Sequence, residues 1–342
     1  MGKKRGGVRF TVIAAAVVLS FAGSANALSP DLDFFNGKVI NYVVSTKPGG
    51  GYDAYARIIG KYMQKYLPGS TVIVKNVPGA GNIIGANEIY LAKPNGLTIG
   101  TFNTGLIYSQ IVGSQGVKFD LAKYSWIGKA SSQTRVFVVS VNTPYKTFKD
   151  ILESKDVIKM SASGVGTADY NDVLLVAAAT GANLKVIPGY MGQENEMAML
   201  RGEVAGQLGS YTGLNAFIKA KECRVLLQLG TKRHKDLKDV PLAAELNLPA
   251  KSKKIIAVIN SMAELGRLTA APPNMPAGRL QVLRDAYKKA VTDPNLISDI
   301  EKMGMDMDPS IGEEVARMVR SAVNQPAENI ALLKQIIKIE GN

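Results

Sequence analysis

Two glycine-rich stretches have the composition to hold an anion without a charged side chain: Lys47-Pro48-Gly49-Gly50-Gly51-Tyr52-Asp53 and Ser161-Ala162-Ser163-Gly164-Val165-Gly166-Thr167. Each follows a strand-like apolar run and precedes a helical pattern, so each joins the carboxyl end of a strand to the first turn of a helix. Amides in that turn have no acceptor within the helix, and the positive end of the dipole lies behind them. Glycine lets a ligand approach such a backbone closely. Tight turns needing positive φ use the same residues, and neither loop is specific alone. The first lacks the Gly-x-Gly-x-x-Gly spacing of dinucleotide sites, and neither ends in the Gly-Lys-Ser/Thr of a nucleotide P-loop. Recurrence in corresponding positions of two halves of the chain favours ligand binding. Two such loops facing one another would grip a carboxylate from both sides.

Residues able to do covalent or acid–base chemistry are scarce. The one histidine, His234, lies in Lys232-Arg233-His234-Lys235-Asp236, which reads as a solvated polar stretch with no Ser or Cys partner. The one cysteine, Cys223, opens an apolar strand-like run and reads as a small core residue; a disulfide within the chain is excluded. A site of several His or Cys ligands cannot be assembled, and acids such as Glu194 and Glu196 have helix-surface spacing. We expect no catalytic residue, no cofactor and no metal. A hydrolase using a carboxylate pair is the least favoured alternative.

The elements around the loops alternate strand and helix, which predicts an α/β architecture with largely parallel sheets. The first series runs from strand 39–45 through a helix ending at Pro68-Gly69, strand 71–75, helix 82–92 and strand 97–102. A second begins near Ile127 with strand 135–141, helix 147–153, strand 157–161, helix 169–180, strand 184–188, helix 193–202, and strands 204–209 and 224–229. After a short strand at 268–271, three helices (279–291, 312–323 and 327–339) finish the chain and are expected to pack on the first series. No low-complexity linker separates the series, and strand-like crossings at 127–135 and 268–273 would form a hinge. The expected lobes are 28–130 plus 267–342, and 131–266. In this frame Thr101, Asn103 and Thr104 end a strand on the cleft side of the first lobe, and Tyr190 and Ser210 are similarly placed in the second. Asp53, in a first helical turn, could turn toward a bound ligand or cap free amides, the cap being favoured, and Arg57 one turn on is read as its surface ion-pair partner rather than a cleft residue.

A chain of 342 residues is long enough for two domains. Its formal charge is +13, but Lys3, Lys4, Arg5 and Arg9 precede an apolar run from Phe10 to Gly23 and the small-x-small sequence Ala25-Asn26-Ala27. That is the pattern of an export signal cleaved after Ala27. The cleavage site has no Cys for a lipid anchor, so the expected product is a free periplasmic protein. Its remaining basic charge suits capture of anions. No basic stripe interleaved with aromatics is present, so nucleic acid is not an expected partner.

Pro48 to Arg57, then Val77-Pro78-Gly79-Ala80-Gly81 with Gly85-Ala86-Asn87, resemble the first-lobe signature of the substrate-binding proteins of tripartite tricarboxylate transporters, the Bug family. Ser163 to Thr167 and Leu200-Arg201-Gly202-Glu203-Val204 resemble the second-lobe pattern. The resemblance implies a two-lobed, Venus-flytrap periplasmic receptor, usually monomeric, that passes a small organic acid anion to membrane permease subunits. It further implies that main-chain amides of both loops hold the carboxylate. A periplasmic sensor for a signalling kinase would bind the same ligands and is the alternative reading. Asp169 and Tyr170 stand where the family's second loop commonly reaches a His, Ala205 replaces a frequent acid, and Tyr52 replaces a small hydroxyl residue. A Tyr-lined cleft would suit an aromatic or longer acid.

Overall fold

The computed structural model describes residues 1–2 and 29–337; the export-signal reading of residues 1–27 therefore lies almost wholly outside the described residues. The first lobe begins with α1 (Pro30–Asp33), β1 (Val39–Val44), α2 (Gly51–Lys65), β2 (Thr71–Asn76), α3 (Ile83–Tyr90), β3 (Thr98–Phe102), α4 (Gly105–Val112) and β4 (Ser125–Lys129). The chain then crosses to β5 (Arg135–Ser140), α5 (Phe148–Glu153), β6 (Ile158–Ala162), α6 (Ala168–Thr180), β7 (Leu184–Pro188), α7 (Glu194–Leu200), β8 (Gly206–Ser210), α8 (Tyr211–Lys219), β9 (Cys223–Leu229) and α9 (Ala250–Ala263). It returns through β10 (Leu268–Ala271), α10 (Ala277–Val291), α11 (Pro294–Lys302), β11 (Ser310–Ile311), α12 (Glu313–Val323) and α13 (Ala327–Ile336).

Two sheets result, in the orders β11-β4-β10-β3-β1-β2 and β7-β6-β8-β5-β9. Each contains a parallel trio, β2-β1-β3 in the first and β7-β6-β8 in the second. The glycine loops leave the middle strand of each trio, β1 and β6. At those strands successive connections depart to opposite sides, which is where open α/β sheets leave a crevice for ligands. The sheets are mixed rather than largely parallel: β10 runs antiparallel to β3 and β4, β11 to β4, and β5 to β8 and β9. Of these, β4, β5, β9 and β10 flank the two crossings, where consecutive strands are not joined by a helical crossover within one sheet.

The crossings are the irregular segments 130–134 and 264–267, so the return lies just before β10 and not within 268–273. They run side by side, tied by Ala130 N to Arg267 O (3.1 Å) and Gln133 N to Ala263 O (2.7 Å). Gly266 permits this approach: a Cβ there would meet Ser131 O at 2.6 Å.

On α2, Ala56, Ile59, Tyr62 and Met63 form the expected apolar stripe and pack with α10 and α11 in one buried cluster, against Tyr42 and Val44 of β1. Val43, on the opposite face of β1, belongs to a second cluster that continues through α4 and α12 into α6, α9 and one face of the second sheet. The apolar core is thus continuous between the lobes. Helix α4 was not legible in the sequence because nearly all of Gly-Leu-Ile-Tyr-Ser-Gln-Ile-Val is buried, leaving no polar face to mark a helical period. Helices α8 and α11 were also missed. Among the described residues four helices follow β10 rather than three, since Asp293-Pro294 starts α11 with an Asp cap and Pro at the first position. Helix α13 packs on α4 of the first lobe and also on α6 of the second. No helix among the described residues is long and apolar enough to cross a membrane.

A buried polar network crosses between the lobes under the site. Arg135 Nε donates to Asp172 Oδ2 (2.7 Å), and Tyr108 on α4 donates to Asp172 Oδ1 (3.2 Å). Arg135 and Asp172 are both almost fully buried. Burial pushes the Asp172 carboxyl up, opposed by the Arg135 guanidinium. Replacing Asp172 by Ala leaves that guanidinium without a counter-charge, and should lower the unfolding free energy in urea by roughly 3 to 5 kcal/mol. A loss under 1 kcal/mol would show that the network is not needed to hold the lobes.

Candidate functional site

The first loop opens α2 through Gly50, whose extended backbone makes it the N-cap residue. Asp53 folds back from the first turn and accepts from Gly49 N (3.0 Å), which fixes the loop's entry. The same carboxylate receives Arg57 Nε and Nη2 (2.9 Å each) and Asn76 Nδ2 (3.0 Å). Burial raises the Asp53 carboxyl, but hydrogen bonds from Arg57, the Gly49 amide and Asn76 outweigh it and hold the group below its ordinary 3.8. Asp53 is therefore a structural partner of the loop. With the Gly49 amide engaged, those of Gly50, Gly51 and Tyr52 have no acceptor among the described residues.

The second loop repeats the arrangement before α6. Asp169 accepts from both Ser163 N and Ser163 Oγ (2.7 Å each). Thr167 is the N-cap residue, yet its hydroxyl turns to Gly164 O (2.6 Å) instead of capping. The amides of Gly164, Val165 and Gly166 have no acceptor among the described residues. This loop meets the first lobe closely. Gly81, at φ 61, would place a Cβ 2.8 Å from Val165 O, and a Cβ on Gly105 would lie 2.6 Å from Ala168 N. Only glycine fits there. Asn103 Oδ1 completes the contact, accepting from Gly105 N (2.8 Å) and from Ala168 N (3.2 Å) across the cleft.

A second polar junction surrounds Tyr52. Its hydroxyl accepts from Gln133 Nε2 (3.0 Å) and, more weakly, from Thr104 N (3.4 Å). The Arg267 guanidinium lies over the Tyr52 ring at 4.2 Å, and its Nη2 is 3.4 Å from Ser210 Oγ. The structure thus gathers Tyr52, Thr104 and Ser210 with Gln133 and Arg267, two residues that sequence reasoning missed. They sit on the crossings, where neither strand nor helix period marks a cleft-facing position.

Other candidates lie apart. Pro48 precedes the Gly49 amide that Asp53 holds. Thr101 is buried inside the first sheet, opposite Val44 and Thr269. Ala162 ends β6, and its carbonyl accepts the Gly189 and Tyr190 amides. The Tyr190 hydroxyl donates to Glu203 Oε2 (3.3 Å), an acid ion-paired with Arg201, and so faces the protein surface instead of joining either junction.

His234 is not solvated. Its side chain is 9% exposed, stacks on Tyr211 with ring centroids 4.1 Å apart, and donates from Nε2 to Asp306 Oδ2 (3.1 Å). The Asp236 amide donates to Nδ1, which assigns that tautomer. Hydrogen bonding from His234, helped by Lys235, holds the Asp306 carboxyl below its ordinary value. Asp306 follows α11 in the first lobe, so these contacts join the two lobes, next to Asn215 Nδ2 on Gly304 O (2.8 Å). Cys223 is buried at the start of β9, and burial pushes its thiol up to about 12.

The family model described as the tripartite tricarboxylate transporter family receptor matches residues 55–336. A UPF0065 protein from the tcbD-tcbE intergenic region of Pseudomonas sp. (strain P51) is 26% identical over 315 residues, 90% of each chain. Among solved structures, Rpa4515 of R. palustris with adipate has a TM-score of 0.73 at 17% identity, over 87% of this chain and 98% of that one. MatC (Rpa3494) of Rhodopseudomonas palustris with bound malate has a TM-score of 0.70 at 19% identity, over 88% of this chain and 99% of its own.

Gly50 has open space where a Cβ would go, and the nearest atom to a Cβ on Gly164 is 3.9 Å away. Gly50→Val and Gly164→Val should therefore fold, yet weaken carboxylate binding at least tenfold, about 1.4 kcal/mol, by screening the amides. Unchanged affinity in both, measured by titration calorimetry, would remove the loops from the site. Asp53→Ala should cost roughly 0.5 to 2 kcal/mol of stability. Because the folded pKa of Asp53 is depressed, its contribution is complete above the ordinary 3.8 and is lost as pH falls through the folded value. The gap between wild type and Asp53→Ala should accordingly narrow in acid unfolding curves.

Proposed function

For a chain that belongs to the tripartite tricarboxylate transporter receptor family, we propose the role of a periplasmic receptor that captures a small organic carboxylate between its lobes and delivers it to a membrane permease. The observation that carries this reading is the pair of amide triplets, Gly50 to Tyr52 and Gly164 to Gly166, left without acceptors at the switch points of two parallel trios. Unpartnered amides at a helix start, as in the first triplet, or in a glycine loop leading to one, as in the second, are complementary to a carboxylate and to little else of biological abundance except phosphate and sulfate. The malate in MatC and the adipate in Rpa4515, on the same fold, support a carboxylate over those inorganic anions.

The proposed lobes are 28–130 with 267–342, and 131–266, with the crossings as hinge. Export with cleavage after Ala27 and action as a free monomer complete the reading. Catalysis has no place in it: His234 joins the two lobes, and the buried Cys223 thiol is held protonated. The Tyr52 ring beside the amides favours a longer chain over the smallest acids.

Ligand binding to the closed form should stabilise it through mass action by roughly 2.7 kcal/mol at a hundredfold excess over Kd, and so raise the melting temperature by a few degrees for a chain of this size. A thermal-shift screen of aliphatic di- and tricarboxylates, aromatic acids and acidic amino acids should give shifts with a few related acids. Absence of any shift, together with turnover of an ester or glycoside, would replace the receptor by an enzyme.

A further inference from the structure

Three cations are buried near the hinge, and two have a carboxylate. Lys129 pairs with Asp308 at 3.0 Å and Arg135 with Asp172 at 2.7 Å. Arg267, only 3% exposed, has no ion-pair partner among the described residues. Its Nε has no hydrogen-bond acceptor, and Nη2 has the single 3.4 Å contact with the Ser210 hydroxyl. The guanidinium lies over the faces of Tyr52 and Tyr55, at 4.2 and 5.1 Å. Ring faces attract a cation but do not satisfy its N–H groups. Its backbone is held at φ 53, a left-handed conformation unusual for a side chain of this size. A buried, incompletely bonded guanidinium is unfavourable in a resting protein and complementary to a planar anion.

The position of Arg267 gives that anion a place. Nη2 lies against Gly51, where a Cβ would come within 2.6 Å, so the fork abuts the first turn of α2. Ser210 belongs to the second lobe, and Arg267 itself to the return crossing. The second loop, with its Gly164 to Gly166 amides, forms a separate donor-rich end against Gly81 and Gly105. The contacts that join the two ends run through Asn103, the Thr104 amide and the Tyr52 phenol. One cleft thus has two anion-attracting ends with a tyrosine between them.

We infer that Arg267 is a charge-recognition residue that meets a second carboxylate of the ligand, so that the receptor selects aliphatic dicarboxylates over monocarboxylates of the same length. This rests on the carboxylate-receptor reading and adds to it a side-chain cation on the hinge. Because the fork touches Gly51 of one lobe and Ser210 of the other, a carboxylate seated on it also favours the closed state. A planar, doubly bonding group is required, so lysine is not an equivalent replacement.

The test is titration calorimetry of the mature chain with succinate, malate, glutarate and adipate, each against its monoamide. Wild type should bind at least one diacid at least tenfold more tightly than its monoamide. In Arg267→Gln that preference should fall to within about twofold, and Arg267→Lys should retain an intermediate preference. The melting temperature of ligand-free Arg267→Gln should equal or exceed that of wild type, whereas a structural role would lower it. A diacid preference that survives in Arg267→Gln overturns the assignment, as does one left whole in Arg267→Lys should the glutamine variant not fold. If Gly164→Val loses all acids while Arg267→Gln behaves as wild type, the receptor reading stands and the Arg267 assignment falls. If wild type binds none of these diacids but shifts with other acids of the thermal screen, the receptor reading stands and the Arg267 assignment falls; if it shifts with no acid, both fall.

Discussion

Amide groups in the first turn of an α-helix, and in the loop that leads into it, have no carbonyl within the helix to bond, and this constraint shapes both lobes. Elsewhere caps or turns usually satisfy such donors. Here the capping positions are Gly50, with no side chain, and Thr167, whose hydroxyl is turned to Gly164. In each lobe an aspartate of the following turn reaches back to the loop's leading residue, Asp53 to Gly49 and Asp169 to Ser163. The aspartates fix the loop's path without closing its remaining amides. Arg57 offsets the charge of Asp53, so the positive end of α2 is not cancelled beside the cleft.

The two lobes are held in register. The paired crossings set a hinge at one side. Around it lie the Tyr108–Asp172–Arg135 network, the Asn103 bridge to α6, and the Asp306 contacts with His234 and Lys235. Behind them an apolar cluster continues from α4 and α12 into α6 and α9. Polar contacts of this kind depend on geometry and are individually modest, whereas apolar burial is insensitive to small rotations. Polar contacts thus lie on the cleft side and apolar continuity behind.

The sequence alone determined the α/β class, the strand-to-helix position of both glycine loops, the Asp53–Arg57 pair and the core place of Cys223. Each follows from local rules: side-chain period, glycine's backbone freedom, the four-residue spacing of a helix face, and an apolar neighbourhood along the chain. Helix α4 escaped because a segment buried on every side has no period to read, and the antiparallel strands escaped because pairing between lobes leaves no local mark. Only the tertiary structure decided which candidates share a site. It set Tyr190 on the surface, fastened His234 to Asp306, and brought Arg267 beside Tyr52, 215 residues earlier in the chain. A guanidinium's lack of a counter-charge is a property of everything packed around it, and no window of sequence contains that.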